Sequence, residues 1–158
     1  MKRVAIVALT ALAISTGPLA AKAAIVAAAY DATGHQVIDF EDAAASPFPG
    51  TVYNGILTSG GAQLSERFAG QILGASGDND TLSGSPTGPL TLQAGANSQN
   101  LDLGTDNGTH NLIPCGPLGC SDPNGYGEGA FAVLFPTLTS YFGLQEYFAD
   151  SSTAVTTL

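Results

Sequence analysis

Carboxylate and amide side chains are the groups in this sequence with the clearest capacity for chemistry. They gather in two polar segments, and closely spaced Asp and Asn residues in loops are ligands that calcium prefers. The segments hold six candidate calcium ligands: Asp78, Asn79 and Asp80 in the first, and Asp102, Asp106 and Asn107 in the second. None of the spacings follows the EF-hand pattern. Solvated acidic loops are therefore the simpler interpretation, and a calcium site is the alternative.

The two cysteines of the chain stand close together, at Cys115 and Cys120. The intervening Gly-Pro-Leu-Gly favours a tight loop, and a close pair in an oxidising compartment predicts an intramolecular disulfide. Zinc bound by His110, Cys115 and Cys120 is the alternative. These three residues have no evident fourth ligand nearby, whereas structural zinc sites have four. The spacing therefore favours the disulfide.

Aromatic residues near the end of the chain offer a surface for sugars. Tyr141, Gln145 and Tyr147 share one face of a predicted strand. On that face, the tyrosine rings can stack on a carbohydrate, and the glutamine amide can form hydrogen bonds with its hydroxyl groups. Tyrosine rings also cover apolar surface while their hydroxyl groups bond water, and that is the simpler interpretation. A carbohydrate site is therefore an alternative that needs a binding test.

Enzymatic motifs are weak throughout the sequence. It has no Gly-x-Ser-x-Gly elbow and no phosphate-binding loop followed by a helix, so no catalytic residue is predicted. Glycoside hydrolysis needs a pair of carboxylates placed across a sugar. The chain has enough glutamates to form such a pair, but no motif singles out two of them: Glu41, Glu66, Glu128 and Glu146.

The N-terminus has the organisation of a secretory signal peptide. Basic Lys2 and Arg3 precede an apolar run over residues 4–14, and a small-x-small cleavage site ends at Ala23. The run is shorter than the ~20 residues that cross a bilayer, so no stable membrane anchor is expected. We expect residues 1–23 to be removed, and residues 24–158 to form one secreted, periplasmic or cell-surface domain.

The net charge of that domain limits the classes of partner that it can bind. Only Arg67 remains basic after residue 23, against thirteen acidic residues, a formal charge of −12. Such a surface repels phosphate backbones, so nucleic acid is excluded as a partner. Metal cations and neutral extracellular polysaccharides stay as candidate partners.

Short alternating runs separated by turn residues predict an all-β domain. Residues 60–61, Gly-Gly, predict a turn, and residues 74–88 and 104–129 read as long polar loops. Seven or eight short strands indicate an antiparallel β-sandwich or jelly roll, incomplete at its C-terminus. The predicted strands cover these segments: 35–40, 51–57, 64–73, 90–93, 100–103, 130–135 and 140–148.

Four segments of the chain resemble a family of exported bacterial proteins. They are Val-Ile-Asp-Phe-Glu-Asp at 37–42, Ser-Glu-Arg-Phe-Ala-Gly-Gln at 65–71, Gly-Ser-Pro-Thr-Gly-Pro-Leu at 84–90, and Gly-Glu-Gly-Ala-Phe-Ala-Val-Leu-Phe at 127–135. These segments are similar to the β-sandwich domains of PEP-CTERM and VPLPA-CTERM proteins, which an exosortase-type system handles. The resemblance implies an extracytoplasmic surface or matrix protein and names no catalytic residues.

The C-terminal sorting signal of that family is missing from the sequence. The signal consists of a proline-containing motif, an apolar helix and a basic cluster, whereas this chain ends at Leu158 without them. We therefore expect either a shortened relative or a fragment of a longer protein. The expected function is that of a non-enzymatic surface or matrix β-sandwich protein. The alternative is a carbohydrate-binding jelly roll that depends on calcium.

Overall fold

Turns rich in glycine divide the chain into short strands. The computed structural model describes residues 36–106 and 108–137. Those ranges contain no helix, and therefore none long and apolar enough to cross a membrane. They contain ten strands: β1 (Thr51–Tyr53), β2 (Leu57–Ser59), β3 (Ala62–Ser65), β4 (Arg67–Phe68), β5 (Ile72–Ser76), β6 (Asn79–Ser83), β7 (Leu92–Gln93), β8 (Leu101–Asp106), β9 (Thr109–Pro114) and β10 (Ala132–Leu134).

Two three-stranded sheets form the body of the fold. The first sheet has the order β1-β8-β9, and the second has the order β10-β3-β2. Two-stranded ladders join β4 to β7 and β5 to β6. Every one of these ladders is antiparallel. The predicted all-β, antiparallel fold class is therefore confirmed.

Four leucines join the two sheets into a sandwich. Leu101 and Leu103 of β8 face Leu57 and Leu64 of the second sheet, and all four are buried in one cluster. Successive residues of a strand point to opposite faces, so Asp102 leaves the sheet on the side away from these leucines. Full burial of a leucine side chain stabilises a fold by ~1.5–3 kcal/mol. Partly buried apolar side chains, among them Phe40, Tyr53 and Val133, pack against this cluster.

The turn between β2 and β3 is confirmed at Gly60 and Gly61. Both have positive φ angles, 55° and 77°, as the favoured two-residue hairpin turn requires. Asp42 accepts hydrogen bonds from the Ser59 hydroxyl at 2.5 Å and from the Gly60 N–H at 2.9 Å. These bonds hold the pKa of Asp42 below its usual value. The carboxylate thus ties the preceding segment to the hairpin.

Several predicted boundaries were wrong. The strand predicted at 51–57 is β1 and the first residue of β2 with a break between them, and the strand predicted at 64–73 is divided among β3, β4 and β5. Residues 74–88 contain most of the β5–β6 hairpin, and residues 104–129 contain β9. Their Gly, Ser, Asn and Thr side chains are typical of loops, but the backbone pairs in register regardless of those side chains. Residues 36–40 alternate in polarity yet form no strand. By contrast, β10 lies inside the strand predicted at 130–135, and the segments 1–23 and 140–148 lie outside the described residues.

Candidate functional site

Buried Asn100 organises the region where the two sheets meet the smaller ladders. Its Nδ2 donates to the backbone carbonyl oxygens of Tyr53 at 2.7 Å and Gly55 at 2.8 Å. Three groups donate to its Oδ1: Ser65 Oγ at 3.2 Å, Glu66 N at 2.9 Å and Gly95 N at 3.2 Å. One amide side chain therefore holds together the end of β1, the end of β3 and the loop after β7. No sequence signal distinguishes this residue, because a single Asn before a strand carries no motif.

A cleft of about 280 Å³ opens beside this junction. We call it the acidic cleft, because two of its seven lining residues carry carboxylates. The lining residues are Glu66, Leu73, Gly74, Ala75, Asp80, Gln99 and Pro117. The β5–β6 hairpin supplies one wall, since residues 73, 75 and 80 project from the same face of it. The other wall comes from residues next to Asn100 and in the cysteine loop.

Glu66 is the most deeply buried group of the acidic cleft, with 1 % of its surface exposed. Its Oε2 forms an ion pair with the guanidinium of Arg67, and neither of its carboxylate oxygens has a hydrogen-bond partner of ordinary geometry. Gly95 makes room for this carboxylate. A Cβ atom on Gly95 would lie 2.6 Å from the carbonyl oxygen of Gln99 and closer still to Glu66 Oε1. The two oxygens thus pack directly against Gly95, and an alanine side chain at this position would clash with both.

Asp80 is held at the opposite wall by the backbone around Ala130. Its Oδ2 accepts a hydrogen bond from Ala130 N at 3.0 Å, and its own N–H donates to the carbonyl of Glu128 at 2.9 Å. Burial raises the pKa of Asp80, and the Ala130 bond and the charge of Arg67 offset part of that rise. Arg67 therefore acts on both carboxylates of the cleft. Two acidic groups against one guanidinium leave it with a net negative charge.

The other predicted oxygen ligands are distributed over separate places. Asp78 is exposed in the turn between β5 and β6, and Asn79 is exposed at the start of β6. Asp106 ends β8, and Asn107 lies outside the described residues. On β6, neighbouring residues point to opposite faces of the strand. Of the first predicted set of ligands, Asp80 is therefore the only described residue that lines the acidic cleft.

The glutamates considered for glycoside hydrolysis are also separated. Glu66 lies in the acidic cleft, whereas the carboxylate of Glu41 accepts a hydrogen bond from the backbone N–H of His110 at 3.0 Å. Glu128 is exposed, and Glu146 lies outside the described residues. The carboxylate that accompanies Glu66 is Asp80, a pair that sequence spacing did not single out. Only folding of the β5–β6 hairpin places both on one cleft.

Asp102 is the second buried acid and lies outside the acidic cleft. It is fully buried, and neither of its carboxylate oxygens has a hydrogen-bond partner of ordinary geometry. Burial raises its pKa to about 6, and the nearby backbone N–H groups of Leu103 and Thr51 offset part of the rise. Burial of Tyr126 raises the pKa of its hydroxyl group, and the negative charge of Asp102 adds to that rise. The structure therefore places this predicted calcium ligand in a site with little solvent.

Replacement of Asp102 by Asn is expected to stabilise the protein at neutral pH. The ordinary pKa of 3.8 rises to about 6 on folding, so between these values the folded chain keeps a proton that the unfolded chain has lost. Stability therefore falls as the pH rises from about 4 to about 6. At pH 7.5 the neutral amide should raise the free energy of unfolding by about 2–3 kcal/mol, and at pH 4 by much less. Urea unfolding at both pH values measures this difference.

The control for this substitution is Asp78→Asn, which makes the same chemical change on an exposed turn. It should leave the difference in unfolding free energy between pH 4 and pH 7.5 as it is in the parent. Equal effects of the two substitutions at pH 7.5 would contradict a penalty specific to buried Asp102.

The cysteine pair forms the predicted disulfide. The sulfur atoms of Cys115 and Cys120 are 2.08 Å apart, and both residues are fully buried. His110 is engaged elsewhere, with Nδ1 2.9 Å from the carbonyl oxygen of Phe40. The residue beside the sulfurs is instead Asp102, whose carboxylate lies within 4.8 Å of both. The zinc set of His110, Cys115 and Cys120 is therefore not assembled.

The carbohydrate candidates Tyr141, Gln145 and Tyr147 lie outside the described residues. Comparison with known proteins adds no relative: no protein family, no curated protein and no solved structure matches this chain.

Proposed function

We propose that this chain is an exported, non-enzymatic β-sandwich protein of the cell surface or extracellular matrix. The observation that carries the proposal is the buried Cys115–Cys120 disulfide. Disulfides persist in oxidising compartments and are rare in the cytosol, where reductants keep thiols reduced. The signal-peptide pattern at residues 1–23 and the resemblance to exported sandwich domains agree with that compartment.

The charges of the domain support a binding or scaffolding role over catalysis. One oxygen of Glu66 is engaged by Arg67, and one oxygen of Asp80 is engaged by the Ala130 N–H. These pairings hold both carboxylates as parts of the fold. The acidic remainder of the surface disfavours anionic partners, whereas neutral polysaccharides and cations are compatible with it.

Cell fractionation with thiol labelling tests the proposed location. We expect a mature chain that begins at Ala24, is found outside the cytoplasm, and has no thiol open to alkylation without reductant. A variant lacking residues 1–23 should stay in the cytoplasm with Cys115 and Cys120 free to react after denaturation. Recovery of the unprocessed chain from the cytoplasm with both thiols free would overturn the proposal.

A second candidate function is calcium-dependent carbohydrate binding, which the acidic cleft favours. Glu66, Asp80 and Gln99 place polar groups beside the apolar walls of Leu73 and Pro117, a combination that suits sugar hydroxyl groups and ring faces. A glycan array on the purified chain, with Asp80→Asn and Tyr147→Ala variants, tests it. Saturable binding lost in either variant supports a lectin-like role. Absence of binding to any glycan leaves the non-binding surface role.

A further inference from the structure

Asp102 is a buried acid that lies beside the disulfide without a hydrogen-bond donor of its own. The residue is fully buried, and neither of its carboxylate oxygens has a hydrogen-bond partner of ordinary geometry. One of these oxygens and the sulfur atoms of Cys115 and Cys120 all lie within 4.8 Å of one another. A buried carboxylate that no donor satisfies is costly, so a change that supplies a donor at this place would stabilise the fold.

The intact disulfide cannot supply that donor, whereas its reduced form can. The sulfurs of a disulfide carry no hydrogen, but each free thiol has one S–H group that donates. A small rotation of either cysteine side chain would bring its thiol within reach of the Asp102 carboxylate. The sulfur of Cys115 also lies 3.6 Å from the carbonyl oxygen of Ile113, which is a second acceptor for that thiol. Reduction therefore gives Asp102 the donor that it lacks in the oxidised chain.

Backbone hydrogen bonds hold both cysteines in place independently of the bond between their sulfurs. The N–H of Cys115 donates to the carbonyl oxygen of Asn100 at 3.2 Å. The N–H of Cys120 donates to the carbonyl oxygen of Ser98 at 2.7 Å. Both acceptors belong to the segment directly before β8, the strand that carries Asp102. Cleavage of the disulfide thus leaves the cysteine loop attached to this segment, with both thiols beside the carboxylate.

We infer that the Cys115–Cys120 pair is a redox switch whose reduced state is favoured by Asp102. A dithiol reductant supplies two electrons and two protons: the S–S bond breaks, each cysteine becomes a thiol, and the reductant becomes a disulfide. A thiolate beside Asp102 would place two negative charges in one buried space, so the reduced cysteines keep their protons. One S–H group then donates to the carboxylate. The reductant reaches the sulfurs by local opening of the cysteine loop, where Leu118 is exposed.

The thiols stabilise the charged form of Asp102, so the switch depends on pH. Burial raises the pKa of Asp102 to about 6 in the oxidised chain, and an S–H donor lowers that pKa in the reduced chain. Between the two pKa values the oxidised chain keeps a proton that the reduced chain has released, so reduction becomes more favourable as the pH rises towards about 6 and slightly beyond. Val52 and Ile113, the residues paired with Asp102, do not titrate. Tyr126 interacts with Asp102 and stays neutral over this range, because its own pKa is raised.

Equilibration of the purified chain with reduced and oxidised dithiothreitol at pH 5 and pH 7.5, started from both the oxidised and the reduced chain, tests the switch. Thiol protons balance in this exchange, so its equilibrium constant depends on pH only if another group takes part. We expect reduction of the parent to be about fivefold more favourable at pH 7.5, for a pKa of Asp102 that falls by about one unit on reduction. Asp102→Asn should be about tenfold harder to reduce than the parent at pH 7.5, which equals about 30 mV, and should show no pH dependence. Asp78→Asn, the same change on an exposed turn, should behave like the parent.

Three results would overturn the switch. Equal equilibrium constants at pH 5 and pH 7.5 in the parent would mean that no buried acid is coupled to the bond, and this comparison needs no variant. Equal reduction of the parent and Asp102→Asn at pH 7.5 would remove Asp102 from the switch. Loss of the β-sheet circular dichroism spectrum on reduction of the parent would show that the chain has no folded dithiol state. All three are measured on purified protein, so they do not depend on the cellular location proposed above.

Discussion

Replacement of Asn100 by aspartate is expected to lower the free energy of unfolding by about 3–5 kcal/mol at pH 7. The substitution keeps the shape of the side chain and removes the amide group that donates to the carbonyl oxygens of Tyr53 and Gly55. Both carbonyls then lose a buried donor and face a carboxylate oxygen instead. Each of these changes is unfavourable in a fully buried site.

Urea unfolding followed by circular dichroism at pH 7 and pH 4.5 measures the effect. The loss should be smaller at pH 4.5, because a protonated aspartate can donate to one of the two carbonyls. Asn97→Asp is the matched control, since Asn97 is exposed in the same loop and undergoes the same change. Its effect should stay within about 0.5 kcal/mol. A similar loss in both variants would contradict the role assigned to Asn100.

Removal of the disulfide by the double substitution Cys115→Ala and Cys120→Ala is expected to lower the free energy of unfolding by about 2–4 kcal/mol. Closing so short a loop restricts the unfolded chain by ~2 kcal/mol, and burial of both half-cystines adds lost packing to that figure. The disulfide also holds the loop that covers the first sheet over Asp102. Loosening that loop admits water to a carboxylate whose charged form is disfavoured there.

The destabilisation should therefore depend on pH. At pH 4 folded Asp102 is protonated and the full loss is expected, whereas at pH 7.5 hydration of the charged carboxylate offsets part of it. Thermal melts of the parent, with and without reductant, provide the control, since reductant should lower the melting temperature of the parent and leave the double variant unchanged. Insensitivity of the parent to complete reduction would show that the bond contributes nothing to stability.

Local features of the sequence were sufficient where a structure depends on neighbouring residues. Gly60-Gly61 predicted its hairpin turn because positive φ angles favour glycine irrespective of the rest of the chain. Cys115 and Cys120 predicted their disulfide because five positions separate them in a loop with two glycines and a proline. The apolar residues around Ala132 predicted β10 because a run without polar groups must be covered.

Only the tertiary structure decided which polar residues are buried and which come together. By sequence, Asp80 and Asp102 look like Asp78, yet one lines the acidic cleft, one is buried below the disulfide and one is exposed. Burial of a polar group depends on long-range packing, because its cost is offset by partners such as Arg67 that are set by strand register. Asn100 has donors and acceptors from segments 5 to 47 residues away, and no local pattern encodes such partners. The sequence alone therefore determined the fold class, the Gly60-Gly61 turn and the disulfide, whereas folding determined the site.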